Sequence, residues 1–386
     1  MIYLDAAATT PVRRDVLEAA WPYLTSSYGN ASSHHSVGEV AARALTDARK
    51  RVAAWLGCRA NDVIFTSGGT EADNLAVKGI ALATPCGRHI VTTRIEHEAV
   101  LESIEYLRRF HGFDVSFAEV DRHGIVSLES FTALLRPDTT LATVMYANNE
   151  IGTVQPISEL TAASHAVGVP FHTDAVQAAG WLDCSVATLG VDALSIAGHK
   201  LGAPKGIGAL FVRGRIPLEP VLHGGGQERG KRSGTENLAG AVALARAVQL
   251  AEQDRRHNAN QAADARDAFI AAVTARVPGA ELTGHPQRRL PTSASFVFPG
   301  ASGESVLLEL ERRGIVSSSG SACAAGSDDP SHVLIALGYP EDVAKSAVRF
   351  SWGADIDRQA LVEVADAVRA AVEQVHGITQ SRSVAI

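Results

Sequence analysis

Lys200 ends the tetrapeptide A-G-H-K (197–200), directly after the β-type run ALSIA (193–197). A lysine amine condenses with an aldehyde to a Schiff base. Upstream, H-T-D-A-V-Q (172–177) supplies Asp174 and Gln177 at the end of another β-type run. An acidic group at the nitrogen of a pyridine ring keeps that ring protonated, so that it can store electrons. At ~3 Å and an effective dielectric constant of ~20 such a pair interacts by roughly 5 kcal/mol before desolvation costs. A pKa unit is worth only ~1.4 kcal/mol, so Asp174 can hold that proton where a neutral Asn could not. Taken singly, a loop lysine or aspartate reads as a solvated surface residue. Two of them at neighbouring strand ends read as a site.

A second constellation is S-G-G-T-E-A-D-N (67–74), between a strand and a helix. Gly68 and Gly69 let backbone approach an anion, and a helix N-terminus offers free N–H groups to a phosphate. Thr70-Glu71-Ala72-Asp73 has the spacing of a capping box, so a turn and cap with no ligand is the alternative reading. No Gly-Lys-Ser/Thr follows, which excludes a Walker loop, and HGGGQERG (223–230) does not fit the dinucleotide-binding G-x-G-x-x-G.

The four cysteines, Cys58, Cys86, Cys184 and Cys323, form no C-x-x-C, which argues against a zinc site or a disulfide framework. Three of them read as small buried hydrophobes. Cys323 differs: it stands in S-S-S-G-S-A-C-A-A-G, a run of small residues with nothing bulky to pack. Such loops move, as a group that must reach two sites requires.

These residues need strands and helices to position them. β-type runs occur at VIFTS (63–67), HIVTT (89–93), VSFAEV (115–120), LATVMYAN (141–148), PFHTD (170–174), ALSIA (193–197) and GALFVR (208–213). Helical patterns separate most of them, at 70–83, 97–110 and 157–168, and an amphipathic helix precedes them at 38–56. The alternation predicts an α/β fold with a mostly parallel sheet covered by helices on both faces. Ligands of such sheets gather at strand carboxyl ends, where Thr70, Asn149, Asp174 and Lys200 all fall. After about residue 235 a long Ala-rich helical stretch (237–277) leads to strands SASFVF (293–298) and GIVSSSG (314–320). The expected division is a large domain at 14–250 and a smaller α+β domain made of 1–13 and 251–386.

At 386 residues the chain accommodates two such cores. A net charge of −7 gives no general attraction to nucleic acid, and no apolar run is long enough to span a bilayer. The opening MIYLDAAATTPVRRD does not have the pattern of a secretory signal, so the expected location is the cytoplasm.

Taken together, the chain resembles the cysteine desulfurases of the NifS/IscS kind, in the class V branch of fold-type I pyridoxal-phosphate enzymes. The resemblance runs through YLDAAATTP (3–11), TSGGTEADNLAVKG (66–79), NNEIGTVQPI (148–157), GHKLGAPKGIGAL (198–210), HGGGQERGKRSGTEN (223–237), SSSGSACAAG (317–326) and VRFSWG (348–353). It implies that Lys200 carries pyridoxal 5′-phosphate and moves the substrate Cα proton, with Asp174 at the pyridine nitrogen and Gln177 at the ring hydroxyl. It places His97 against the ring, assisting proton transfers. Gly69, Thr70 and His199 would grip the phosphate, with Thr235 arriving from the neighbouring subunit of a homodimer. Arg349 would clamp the carboxylate of L-cysteine, helped by Asn149, and Cys323 would take the sulfur as a persulfide. No metal is implied. The persulfide would pass to a sulfur-acceptor protein, a scaffold or relay; iron–sulfur cluster assembly, tRNA thiolation, sulfur modification of DNA and cofactor synthesis would all draw on it.

The chain departs from the family pattern at Ala197, where the commoner Ser or Thr offers the phosphate a hydroxyl; one hydrogen bond should be missing. Two rival readings remain open. Another class V enzyme, an aminotransferase or selenocysteine lyase, would share Lys200, Asp174 and Arg349 but not need Cys323. A cofactor-free binding protein would purify without the colour of a bound cofactor.

Overall fold

The computed structural model describes residues 1–83, 86–320 and 329–383. Twelve strands occur among them: β1 (Ile2–Tyr3), β2 (Val63–Thr66), β3 (His89–Thr93), β4 (Asp114–Ala118), β5 (Thr139–Thr143), β6 (Phe171–Asp174), β7 (Ala193–Ala197), β8 (Gly208–Val212), β9 (Glu281–Leu282), β10 (Ser293–Val297), β11 (Ile315–Val316) and β12 (Val348–Ser351). Seven form one sheet in the order β2-β8-β7-β6-β5-β3-β4. Strand β8 is antiparallel to β2 and β7, and the remaining neighbours are parallel. Six strands therefore deliver their carboxyl ends to one edge.

The alternation of side chains shows why helices cover both faces. Val63 and Phe65 of β2 join one apolar cluster with Leu194 and Ile196 of β7, while Ile64 and Ala193 join another. The first cluster is closed by helix Ser36–Leu56 through Ala41, Leu45, Ala48 and Val52, the second by helices Gly69–Ala83 and Glu98–His111. A sheet buried on both faces needs near-continuous apolar strands, and β2, β3, β5, β7 and β8 are buried at every residue. The expected α/β architecture is the one observed.

Two strands are shorter than their sequence patterns suggest. The run at 141–148 leaves regular pairing after Thr143, although Val144 N still donates to His172 O (3.2 Å) and Tyr146 N to Asp174 O (2.8 Å). The run at 314–320 is a strand only at Ile315–Val316. Beyond it Ser318 exchanges two backbone hydrogen bonds with Arg349, of 2.6 and 3.2 Å. Both departures occur where chain turns into the site.

A second core surrounds the antiparallel sheet β12-β10-β9, with β1 and β11 paired in parallel beside it. Phe269 is wholly buried there, its ring centroid 6.0 Å from Phe296, 5.3 Å from Phe350 and 5.8 Å from Trp352, all edge-on. Helix Leu238–Arg276 links the cores: Leu238 to Ala251 pack in the first, Ala265 to Val273 in the second. Among the described residues no helix is long and apolar enough to cross a membrane. Removing the central ring should leave a cavity, so Phe269→Ala should lower unfolding free energy by about 3–5 kcal/mol. Denaturant unfolding checks this, and hydrogen exchange should show the loss concentrated in β10 and β12.

Candidate active site

Parallel pairing sets His172 beside Thr143 of β5 and Asp174 beside Ser195 of β7. Asp174 is buried (6% exposed), and its Oδ1 accepts from Val176 N at 2.8 Å. Burial pushes its proton affinity up, while His97 and then Lys200 pull it down, so three of the expected residues share one electrostatic neighbourhood. Lys200 lies in a short 3-10 turn, Gly198–Lys200, after β7. Its Nζ donates to Ala8 O at 2.8 Å and also to Ala7 O. Gln177 Nε2 donates to the same Ala7 carbonyl at 3.0 Å. His199 Nδ1 meets Thr9 Oγ1 at 3.2 Å, and its backbone carbonyl accepts from Thr10 Oγ1 at 2.8 Å. Burial, then Lys200, lowers the His199 pKa to about 4, so this imidazole is neutral in ordinary buffers.

The segment Asp5–Thr10 thus touches three expected site residues at once, a role the sequence reading missed. Its small side chains gave no chemical signal, and only its place within the resemblance marked it. A cavity of about 810 Å³ opens beside it, walled in part by Ala6, Ala7, Gln177, Lys200, Ser351 and Trp352. Thr70, His97 and Asp174 are not among its walls.

The helix at the cradle begins at Gly69, two residues earlier than a cap at Thr70 would give. Helix Gly69–Ala83 already includes Thr70 in its first turn. Glu71, not Asp73, reaches back, its Oε2 accepting from Ser67 N at 2.9 Å. Asp73 cannot do so because it faces the interior, at 1% exposure. Glu71 also pairs with Arg232, at 2.7 Å from Nε. Two glycines make room for this turn. A Cβ at Gly208 would lie 2.7 Å from Gly68 backbone, and one at Gly69 would lie 2.7 Å from Val176. Ala197, at 1% exposure, faces Gly69 from the end of β7 with no hydroxyl to offer. Thr70 and Thr235 are both exposed.

His97 caps helix Glu98–His111, its Nδ1 accepting from Ala99 N at 3.0 Å, which leaves the ring proton on Nε2. Arg349 comes from the second core. It is 2% exposed and donates to Asn149 O (2.8 Å), Gly320 O (3.2 Å) and Asp5 Oδ1 (2.8 Å). Asn149 meets Arg349 through its backbone carbonyl. Cys323 lies outside the described residues. Of the other cysteines only Cys184 is buried; Cys58 is half-buried and Cys86 exposed, so the expectation of three buried thiols is corrected. Cys86 sits at the rim, where its Sγ is 3.8 Å from Thr139 O. Burial pushes the Cys58 and Cys184 thiols up to about 12.

Beneath Asp174 lies a buried polar layer that the sequence reading did not single out. His172 is fully buried, 2.8 Å from Thr143 Oγ1 and 3.0 Å from Ser195 Oγ, and burial depresses its pKa to about 3. Its Nε2 lies 3.7 Å from Asp73 Oδ1. Burial raises the pKa of Asp73 well above the carboxylate range, and the charge of Asp174 adds to this. Glu96 accepts from Thr93 Oγ1 (2.6 Å) and Met145 N (2.8 Å), and burial raises its pKa to about 8. Burial raises the proton affinity of all three carboxyls here.

With this geometry in place, the comparisons with known proteins are decisive. Residues 2–362 match the aminotransferase class-V family. Cysteine desulfurase IscS of Dictyoglomus turgidum is 41% identical over 379 residues, covering 98% of this chain and 96% of that one. The chain belongs to the class-V aminotransferase family, in its cysteine desulfurase branch. Among solved structures, a NifS-like protein superposes with a TM-score of 0.88 at 34% identity, covering 98% of this chain and 99% of that one. A structure described as SspA in complex with cysteine gives 0.80 at 36% identity, with 91% and 98% covered. Cysteine desulfurases depend on pyridoxal phosphate, and the residues here fit that group. An amine at a strand end, a buried acid and a glycine-lined helix N-terminus match its aldehyde, ring nitrogen and phosphate.

Glu96 yields a test of the buried layer. An acid with a raised folded pKa keeps a proton that the unfolded chain has released, so rising pH disfavours the fold between the two values. That window runs from 4.5 to about 8. The melting temperature of Glu96→Gln should therefore fall less than that of wild type across this window. Parallel melting curves would contradict the assignment.

Proposed function

We propose that this chain is a cysteine desulfurase, converting L-cysteine to L-alanine and leaving the sulfur as a persulfide on Cys323. The observation that carries the reading is that Asp174 and Lys200 share one electrostatic neighbourhood at the carboxyl end of the large sheet, while the segment that accepts from Lys200 also binds Arg349 of the second core. The bound cofactor supplies an electron sink for charge developing at the substrate Cα. Lys200 would hold the cofactor and move the Cα proton. Asp174 would bind at the ring nitrogen, and the ring's positive charge would compensate its buried carboxylate. Gln177 would bind the ring hydroxyl, and His97, with its proton on Nε2, would lie against the ring and deliver a proton.

Gly69, Thr70 and neutral His199 would hold the phosphate, as hydrogen-bond donors. The exposure of Thr235 suits a residue that completes the site of a second copy, so a homodimer is part of the reading. Arg349 would bind the substrate carboxylate, with Asn149 holding the guanidinium in place. The Cys323 thiolate would attack the substrate sulfur; the C–S bond would break, and the remaining fragment would leave as alanine after protonation at Cβ and return of the proton to Cα. An acceptor protein then takes the sulfur, as in iron–sulfur cluster assembly, and the cytoplasm is the proposed setting. We also propose the division into residues 14–250 and 1–13 with 251–386. The second core, which gathers Leu4 with residues from 265 onward, supports it.

Purified wild type and Cys323→Ser, incubated with L-cysteine, separate this activity from its relatives. Alanine formation should fall by at least about 10²-fold in the variant. Unchanged turnover would point to another class V activity that dispenses with Cys323. Restoring a hydroxyl in Ala197→Ser should tighten pyridoxal phosphate binding by about tenfold or more, as expected for a hydrogen bond to a charged group worth ~1.5–3 kcal/mol. Fluorescence titration of the apoprotein measures this, and equal affinity would refute the role given to position 197.

A further inference from the structure

The guanidinium of Arg349 is already partnered. Its Nη1 donates to two backbone carbonyls, Asn149 O and Gly320 O, which carry no net charge. Its Nη2 donates to Asp5 Oδ1 at 2.8 Å, and Nε finds no hydrogen-bond partner among the described residues. Nε and Nη2 together make the side edge of the guanidinium, the edge that takes a carboxylate with two parallel bonds. One tooth of that fork is held by Asp5 and the other is open. Glu150 is also within electrostatic reach, but burial raises its proton affinity and Ser331 Oγ donates to it at 2.5 Å. Asp5 is thus the anion in hydrogen-bond contact with Arg349.

We propose that Asp5 is a resident counter-ion on the substrate-carboxylate site, and that an incoming amino acid must displace its side chain from Nη2 to bind. This makes Asp5 an affinity-setting residue: it weakens binding of every carboxylate ligand and thereby lets the product leave. The inference rests on the reading of Arg349 as the substrate clamp. Two observations favour rotation of the Asp5 side chain over movement of the segment. The backbone is pinned on both sides, Leu4 N donating to Val316 O at 2.7 Å before it and Ala6 N to Ser351 O at 3.0 Å after it. The Asp5 side chain, at 18% exposure against 2% for Arg349, has a route to water that the arginine lacks. Once Asp5 turns outward, the ligand's carboxylate can use Nε and Nη2 together while the two carbonyls keep the guanidinium in place.

The sign of the effect follows. Removing the resident charge leaves Arg349 buried and short of an anion, so a carboxylate ligand should bind more tightly to the variant. Calorimetric titration of the holoenzyme with L-alanine should show Kd falling about tenfold in Asp5→Asn, the equivalent of about 1.4 kcal/mol. Asp5→Ser should move the same way, and Asp5→Glu, which keeps the charge, should stay near wild type. Alaninamide, lacking the carboxylate, should bind all four proteins alike. In turnover, KM for L-cysteine and kcat should both fall in Asp5→Asn as product release slows. Equal or weaker L-alanine binding in both Asn and Ser variants would overturn the proposal, because Asp5 would then only hold Arg349 in place. Arg349→Ala separates the two ideas. If it leaves L-alanine affinity unchanged, the clamp reading itself fails; if it weakens binding while Asp5→Asn does not tighten it, the Asp5 inference alone fails.

Discussion

An ionised carboxylate taken out of water needs a positive partner or a proton, and Asp174 is the carboxylate around which this molecule is arranged. It stands at the end of a central strand, covered on both sides, with His97 and Lys200 as the groups that lower its proton affinity. The layer below it adds no net positive charge. His172 is held neutral between two hydroxyls, while burial keeps Asp73 and Glu96 toward their protonated forms. Such a base leaves room for one negative charge, and a protonated ring nitrogen is the partner that would balance it. A cofactor bound there would stabilise the fold locally as well as serve the chemistry.

Much of the remaining architecture delivers groups to that point. Parallel strands share one edge, so the glycine-lined turn before helix Gly69–Ala83, Asp174 and Lys200 arrive from β2, β6 and β7 without long loops. The second core contributes Arg349 on β12, and the N-terminal residues bridge the two cores, pairing with β11 before crossing over Lys200. Segment Asp5–Thr10 therefore holds Lys200, Gln177 and His199 with its carbonyls and hydroxyls and Arg349 with its one carboxylate. That double attachment gives this short stretch an influence out of proportion to its length.

The strand–helix alternation was legible because buried strands must be apolar and their helices amphipathic; β3 and β7 match their sequence runs end to end. Lys200, Asp174 and the cradle were legible because their residue types are unusual at strand ends. The N-terminal segment was not, since its work is done by backbone carbonyls, which sequence does not distinguish. The buried layer was also hidden: His172 and Asp73 lie within strand and helix patterns and become neighbours only through register. The cap was misplaced by two residues because Glu71, rather than Asp73, has the outward position. Cys86 reads like any other small apolar residue in sequence, yet its place at the rim leaves it exposed.

The central claim is that the buried Asp174 carboxylate keeps a proton on the cofactor's ring nitrogen. Nitrogen-15 magnetic resonance of protein reconstituted with ring-labelled pyridoxal phosphate measures that proton directly. The account predicts a protonated ring nitrogen at neutral and mildly alkaline pH in wild type, and an unprotonated one in Asp174→Asn. An unprotonated nitrogen in wild type, or the same signal in both proteins, would contradict it.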